Sequence, residues 1–392
     1  MFPERFSNLP EYAFPRLRAL LDVHAAGGDP VHMTIGEPKH AFPPWITDII
    51  QETAGEFSKY PVNEGTPELR QAICDWIQRR YGVALEADRN VMALNGTREG
   101  LYNAMMALCP ETKSGDRPKV LIPNPFYQVY MVAALSVGAD PVFLPATQNT
   151  KFLPDFDAVP AAVLDQTAVV YLCSPSNPQG AIASREYWAH VIGLAEKHDF
   201  KVFADECYSE IYRDEPPVGA LQVAQEIGAD PERVILFNSL SKRSNLPGLR
   251  SGLVAGGPET IRRMKTLRNY AGSPLPMPLQ RVAEKVWADE AHVIENRALY
   301  QEKYALADEI MGTVPGYQGP EAGFFLWLPV DDGEQAALKL WKSTGVRVLP
   351  GAYLGRDGDG ENPGKRYIRA ALVAPKTETA QGLTLLRDCL YQ

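Results

Sequence analysis

Between residues 91 and 271 the chain alternates between two hydrophobic patterns. Short, nearly continuous apolar runs stop abruptly at polar, Gly- or Pro-containing stretches. Between them lie amphipathic segments whose apolar positions recur three and four residues apart. The runs 91–94, 119–122, 141–144, 168–173, 201–204, 234–237 and 252–255 read as strands. Leu101, Ala104, Met105 and Leu108 share one face of a helix over 99–108, and further helices are expected over 130–137 and 187–197. Strands that are apolar on both faces and alternate with helices predict an α/β fold, with a mainly parallel sheet flanked by helices.

From about residue 284 the pattern changes. A long polar helix running to 311 is followed by the aromatic run Phe324-Phe325-Leu326-Trp327. A helix near 336–342, strands near Val346 and Tyr367 and a last helix over 377–390 complete what reads as a smaller α+β domain. The expected division is an N-terminal segment, 1–50, that joins the small domain, a large α/β domain, 51–283, and the remainder of the small domain, 284–392. The Gly- and Asp-rich stretch 355–364 reads as an exposed loop.

Composition narrows the function classes. With 392 residues the chain is long enough for two domains and a large core. Its formal net charge of −9, with no run of Lys and Arg, argues against nucleic acid or an anionic membrane as partner. No apolar stretch is long enough to span a bilayer. Residues 1–10 hold no apolar signal core, so a cytoplasmic protein is expected. The five cysteines are scattered and odd in number, matching neither a disulfide framework nor a zinc site. The six histidines lack ligand spacing, and no metal is expected.

Ligands of open α/β sheets bind at the carboxyl ends of the strands, and four such ends carry polar residues of one chemical theme. Ser239-Leu240-Ser241-Lys242 follows the run 234–237, with Arg250 eight residues beyond the lysine. A lysine there can condense with an aldehyde cofactor, while Ser239, Ser241 and Arg250 can bind its phosphate. Asp205 closes the run 201–204; an Asp suits a protonated ring nitrogen, and Tyr208 can reach a ring hydroxyl. In Ser176-Asn177-Pro178-Gln179-Gly180 a rigid turn fixes the amide of Asn177. In Asn95-Gly96-Thr97-Arg98-Glu99 a strand passes into a helix, whose free N–H groups make an anion site. Each stretch has a plainer reading alone: a solvated loop, a capped turn, an ordinary turn, a simple N-cap. Together those would be four coincidences in the order that one cofactor site requires.

In that order the motifs resemble the fold-type I aminotransferases, the aspartate aminotransferase superfamily, over nearly the whole chain. The resemblance implies the pyridoxal-phosphate (PLP) transferase fold, PLP as cofactor and a homodimer with shared sites. Gly36-Glu37-Pro38 resembles the glycine segment beside the substrate. Tyr60, with Gly65-Thr66-Pro67-Glu68-Leu69-Arg70, resembles the stretch whose tyrosine crosses to the neighbour's cofactor phosphate. Asn124-Pro125-Phe126-Tyr127 resembles the segment that stacks an aromatic ring, here Tyr127, on the cofactor. Tyr367-Ile368-Arg369 resembles the segment with the arginine for the substrate α-carboxylate. The implied catalytic residues are Lys242, Asp205 and Tyr208. Gly96, Thr97, Arg98, Tyr127, Asn177, Ser239, Ser241, Arg250 and Tyr60 join them around the cofactor, and Gly36, Asn177 and Arg369 face the substrate. Gln179 departs from the family, which usually has Thr there, and leaves Asn177 untouched.

Three longer strings, SLSKRSNLPGLRSG from Ser239, DECYSEIY from Asp205 and DEAHVIENRALY from Asp289, resemble the succinyldiaminopimelate aminotransferase subgroup of lysine and cell-wall precursor synthesis. That implies N-succinyl-L,L-2,6-diaminopimelate as amino donor and 2-oxoglutarate as acceptor. Both carry a second, distant carboxylate, for which Arg268 is a candidate, although Arg262, Arg263 and Lys265 beside it fit an ordinary solvated helix face. Other readings stay open: an aminotransferase of aspartate, aromatic or alanine type, a PLP-dependent β-lyase or decarboxylase, and a non-catalytic PLP-binding sensor.

Overall fold

A computed structural model describes residues 4–7, 9, 11–358 and 360–392. Within residues 1–10 and the 355–364 loop, residues 1–3, 8, 10 and 359 therefore lie outside the described residues. Seven strands form the central sheet, in the spatial order Val91–Leu94, Gly252–Ala255, Val234–Ser239, Lys201–Asp205, Thr167–Cys173, Lys119–Asn124 and Asp140–Pro145. Six of them run in one direction. Gly252–Ala255 is antiparallel to both of its neighbours. The architecture is α/β, with the mostly parallel sheet that the sequence predicts.

The strands read as unbroken apolar runs because helices cover both faces. Side chains alternate across a strand, and the core divides accordingly. Val170, Leu172, Val202, Ala204, Val234 and Leu236 enter one buried cluster, whereas Val169, Tyr171, Phe203, Ile235 and Phe237 enter the other. Several strands run one or two residues beyond the apolar run, so that Asp205 and Ser239 are their last residues. These polar groups are thus held by sheet geometry and not by a loop. The stretch containing Gly65 to Arg70 opens the helix Pro67–Tyr81, whose first turn is capped by Thr66 Oγ1 accepting from Leu69 N at 3.2 Å.

The smaller domain packs the three-stranded sheet Leu349–Pro350, Tyr367–Ala371 and Phe325–Pro329 against the helices Ala291–Met311 and Lys376–Leu390. The N-terminal segment joins it. Val31–His32 pairs in parallel with Val346–Arg347, and the helix Ala13–Leu21 packs on Trp341. The helix Met277–Ala288 runs across residue 284, the expected start of the small domain. Its Val282, Ala283, Val286 and Trp287 belong to the core of the large sheet. The stretch 355–364 is exposed at its centre, while Gly364 is buried against Gly351. No helix among the described residues is long and apolar enough to cross a membrane. Nor do three or more His, Cys, Asp or Glu side chains gather there as a metal site.

Candidate active site

A cavity of about 340 Å³ opens at the carboxyl ends of the strands, where the large domain, the small domain and the N-terminal segment meet. Its walls include Gly36, Thr97, Arg98, Tyr127, Asn177, Asp205, Tyr208, Ser239, Ser241, Lys242, Arg250 and Arg369, nearly all of the residues that the sequence nominated.

Lys242 sits in a short helical turn, Leu240–Arg243, directly after its strand. Its Nζ donates to the carbonyl of Gly36 and lies 5.2 Å from the ring centroid of Phe324. Burial, which disfavours the charged amine, draws its pKa down to about 8. Asp205 is buried; its Oδ2 accepts from Tyr130 Oη at 2.7 Å and its Oδ1 from Cys207 N at 3.3 Å. Burial raises its pKa, and the two hydrogen bonds pull the other way. No cation is paired with this carboxylate among the described residues. Tyr208, also buried, keeps its phenol protonated for the same reason.

At the opposite end, Gly96 precedes the helix Thr97–Leu108 with φ +81°. A Cβ there would meet Arg250 Nη2 at 2.2 Å, so glycine is what lets the guanidinium lie against this helix start. Arg250 Nη1 donates to the carbonyl of Pro247 at 2.9 Å. Ser239 and Ser241 line the same end, and Thr97 Oγ1 lies 3.3 Å from Cys207 Sγ. Guanidinium, hydroxyls and free helix N–H groups make an anion cradle.

Arg369 is 5% exposed and held on two sides, with Nη1 donating to Asn177 Oδ1 at 3.0 Å and Nη2 to the carbonyl of Thr34 at 2.9 Å. Its Nε is buried with no partner, and burial lowers its pKa to about 10. A buried guanidinium with donors to spare and no carboxylate beside it is an anion site. Because Asn177 Oδ1 faces Arg369, its amide nitrogen is left to donate elsewhere. Gly180, which closes that turn, adopts φ +74° as its position required.

These features fit a phosphorylated pyridine aldehyde. There is a cradle for the phosphate and a lysine for the aldehyde. An unpaired buried carboxylate awaits the ring nitrogen, and Tyr208 and Asn177 stand as donors for the ring oxygen. Tyr127 lies on the wall, its Oη accepting from Arg98 Nε at 2.8 Å.

Two nominated residues are elsewhere. Tyr60 is fully exposed and does not reach the cavity of its own chain. Arg268 is only 4% exposed, neither on a solvated face nor in the cavity, and its guanidinium is paired with Glu99. Other wall residues went unnoticed in the sequence. Tyr130 lies one helical turn beyond Tyr127, a spacing that could have revealed it. Cys173 and Cys207 flank Asp205. Tyr12, Phe14 and Ile35 come from the N-terminal segment, where no pattern marked them.

Comparison with known proteins bears on this site directly. The sequence model of the family described as Aminotransferase class I and II matches residues 29–379. The LL-diaminopimelate aminotransferase of Dehalococcoides mccartyi is 31% identical over 396 residues, covering 98% of each chain. That of Desulforudis audaxviator is 32% identical, covering 99% of this chain and 97% of the other. Among solved structures, an aminotransferase from Neisseria meningitidis superposes with a TM-score of 0.95 at 38% identity, over the whole of both chains.

Proposed function

Since the chain belongs to the class I and II aminotransferases, enzymes that use pyridoxal 5'-phosphate, we propose that the cavity holds that cofactor on Lys242 and exchanges amino groups between an amino donor with a distant carboxylate and 2-oxoglutarate. The cofactor, when bound, supplies an electron sink for the bond broken at the donor's Cα. Lys242 Nζ moves the Cα proton. With a pKa of about 8, roughly a quarter of such amines are neutral at pH 7.5, against about one in a thousand for an ordinary lysine. Asp205 holds a proton on the ring nitrogen, and Tyr130 keeps that carboxylate oriented. Tyr208 Oη and Asn177 Nδ2 donate to the ring oxygen. Gly96, Thr97, Ser239, Ser241 and Arg250 bind the phosphate, and Tyr127 covers the ring.

The observation that carries the reading is Arg369, buried with an unpartnered Nε and no carboxylate. It grips the α-carboxylate common to donor and acceptor, and its fork suits bidentate contact where lysine would be a point charge. For the second carboxylate, Arg98 replaces Arg268. It lines the cavity, is exposed, and among the described residues has only the phenols of Tyr127 and Tyr12 as polar side-chain partners.

The preferred donor is N-succinyl-L,L-2,6-diaminopimelate. The subgroup strings support it, and so does charge. Among the described residues Asp205 is the only carboxylate that lines the cavity, which leaves a distal ammonium poorly matched there. Succinylation removes that ammonium and adds a carboxylate. The unsuccinylated LL-diaminopimelate is the second reading, supported by the names of the relatives above. Purified enzyme with 2-oxoglutarate and either donor, followed by glutamate release, tests both. A higher kcat/KM for an aromatic or short aliphatic amino acid would reject both. Release of ammonia and pyruvate would mean a lyase, and silence with every donor would favour a sensor.

A homodimer is the proposed working unit. Tyr60 is fully exposed and Tyr270 is 90% exposed, two aromatic side chains standing in solvent on this chain alone. Tyr60, exposed and clear of its own cavity, is free to reach the partner's phosphate cradle, as the family resemblance implies. Light scattering that finds an active monomer would refute this.

A further inference from the structure

The helix Ala291–Met311 buries two polar side chains, Asn296 and Lys303, that the chemistry above does not use. Lys303 is 3% exposed, and no carboxylate pairs with it among the described residues. Its Nζ donates to the carbonyl of Leu372 at 3.0 Å and lies 2.7 Å from His40 Nε2. His40 Nδ1 in turn lies 2.7 Å from Asn296 Oδ1. Asn296 Nδ2 faces the main-chain carbonyls of Lys242 and Arg243, each at 3.4 Å.

The direction of each link follows from its end. Main-chain carbonyls only accept, so the amide nitrogen of Asn296 faces them and its oxygen faces His40. The proton of a neutral His40 then belongs on Nδ1, and Nε2 accepts from Lys303. Asn245 Nδ2 adds a strap, donating to Asn296 Oδ1 at 3.1 Å and to the carbonyl of Ala41 at 3.2 Å. The same N-terminal stretch meets the lysine again at its other end, where the Gly36 carbonyl accepts from Lys242 Nζ.

We propose that His40, Asn296 and Lys303 are positioning residues that lock residues 36–41 onto Lys242, and that the lock holds only while His40 is uncharged. The inference rests on the reading of Lys242 as the cofactor's anchor. Protonated His40 would turn an N–H toward the Lys303 amine, which has no acceptor for it while charged, and would set two cations together in a buried site. The hydrogen bond with Asn296 pulls the other way, but burial outweighs it. The long helix presents Lys303, Asn296 and the ring of Tyr300, whose centroid is 4.5 Å from that of His40. The histidine's own segment carries Glu37, exposed, and Lys39, which lies 3.8 Å from Glu378 of the last helix. The stretches around Lys242 and Leu372 present carbonyls to the chain of links. Burial, with the charge of Lys303 adding to it, keeps the His40 pKa below its ordinary value, and burial draws Lys303 down to about 8.

Two measurements decide the matter. In the apoprotein, 15N NMR of histidine, with His40 assigned by its loss in His40→Asn, should find the Nδ1–H tautomer and a midpoint below about 6.5. The other tautomer, or an ordinary midpoint, would overturn the lock without touching the aminotransferase reading. In the holoenzyme, Lys303→Met keeps the volume and removes the cation. It should move the acid limb of kcat to higher pH by about one unit, with the keto-acid KM little changed and the alkaline plateau kept. An equal loss at every pH would mean a merely structural lysine and overturn the proposal. Should Lys303→Met fail to fold, Lys303→Arg, which retains a cation, must leave the limb near its wild-type position, and a large shift would count against the lock.

Discussion

Replacing Gly96 by alanine separates the phosphate cradle from the rest of the site. The residue sits at φ +81°, ψ 155°, a region that costs an L side chain about 1–3 kcal/mol. The new Cβ would also lie 2.2 Å from Arg250 Nη2 and 2.8 Å from its Cζ. The backbone on this side is held by the pairing of Leu94 with Gly252, so the guanidinium, the free end of a flexible side chain, moves instead. Restoring an ordinary contact needs a displacement of about 1 Å or more, enough to break a hydrogen bond to phosphate. Losing one charge-assisted bond costs about 1.5–3 kcal/mol, or roughly 10–150-fold in affinity. Equilibrium dialysis of PLP should be done in a Lys242→Ala background, where covalent attachment cannot mask the change. Pyridoxal, which lacks the phosphate, should bind Gly96→Ala/Lys242→Ala almost as well as Lys242→Ala. Equal weakening for both ligands, or no weakening for PLP, would refute the role of Gly96 and Arg250.

The apoprotein should attach PLP faster as pH rises, with a midpoint near pH 8 and a plateau about one unit higher, because the neutral amine of Lys242 is the attacking form and its folded pKa is lowered; a rate still climbing steeply at pH 10 in stopped-flow absorbance would contradict this. Arg369→Lys should raise KM for donor and 2-oxoglutarate alike, by about 10-fold or more, while leaving the cofactor's visible spectrum unchanged; an effect on one substrate only would assign the residue differently. Arg268→Ala should lower stability by about 2–3 kcal/mol, since it strands the partly buried Glu99, and should spare KM for every substrate; denaturant melts and steady-state kinetics on one preparation check both halves.

The sheet was legible because its strands are buried on both faces, and such strands stand out as continuous apolar runs between turn residues. Much of the cavity wall was legible for the same reason, since the runs 91–94, 168–173, 201–204 and 234–237 lead into polar stretches that the structure gathers around one cavity. What escaped was set by contacts distant in sequence. Tyr12 and Phe14 reach the cavity only because the N-terminal segment is carried there by the small domain. The helix Met277–Ala288 crosses the expected boundary at residue 284, and Val286 and Trp287 beyond it still pack on the large core. Arg268 was judged by its charged neighbours, whereas the helical period that buries Ile261 and Met264 carries it inward with them.

The bond between Arg369 and the Thr34 carbonyl joins residues 335 positions apart, which sets an order on how the protein is made. At roughly 5–20 residues per second, Thr34 leaves the ribosome about 20–70 s before Arg369 is added. During that interval the whole seven-stranded sheet can pair, while Val31 and Met33 still lack the small-domain cluster that will bury them. The nascent chain therefore carries Val31 and Met33 without their burying partners beside a large sheet whose strands are all made. Synthesis of Val346–Arg347, which pairs with Val31–His32, and of Tyr367–Ala371 is what ends that exposure, and Arg369 arrives with it.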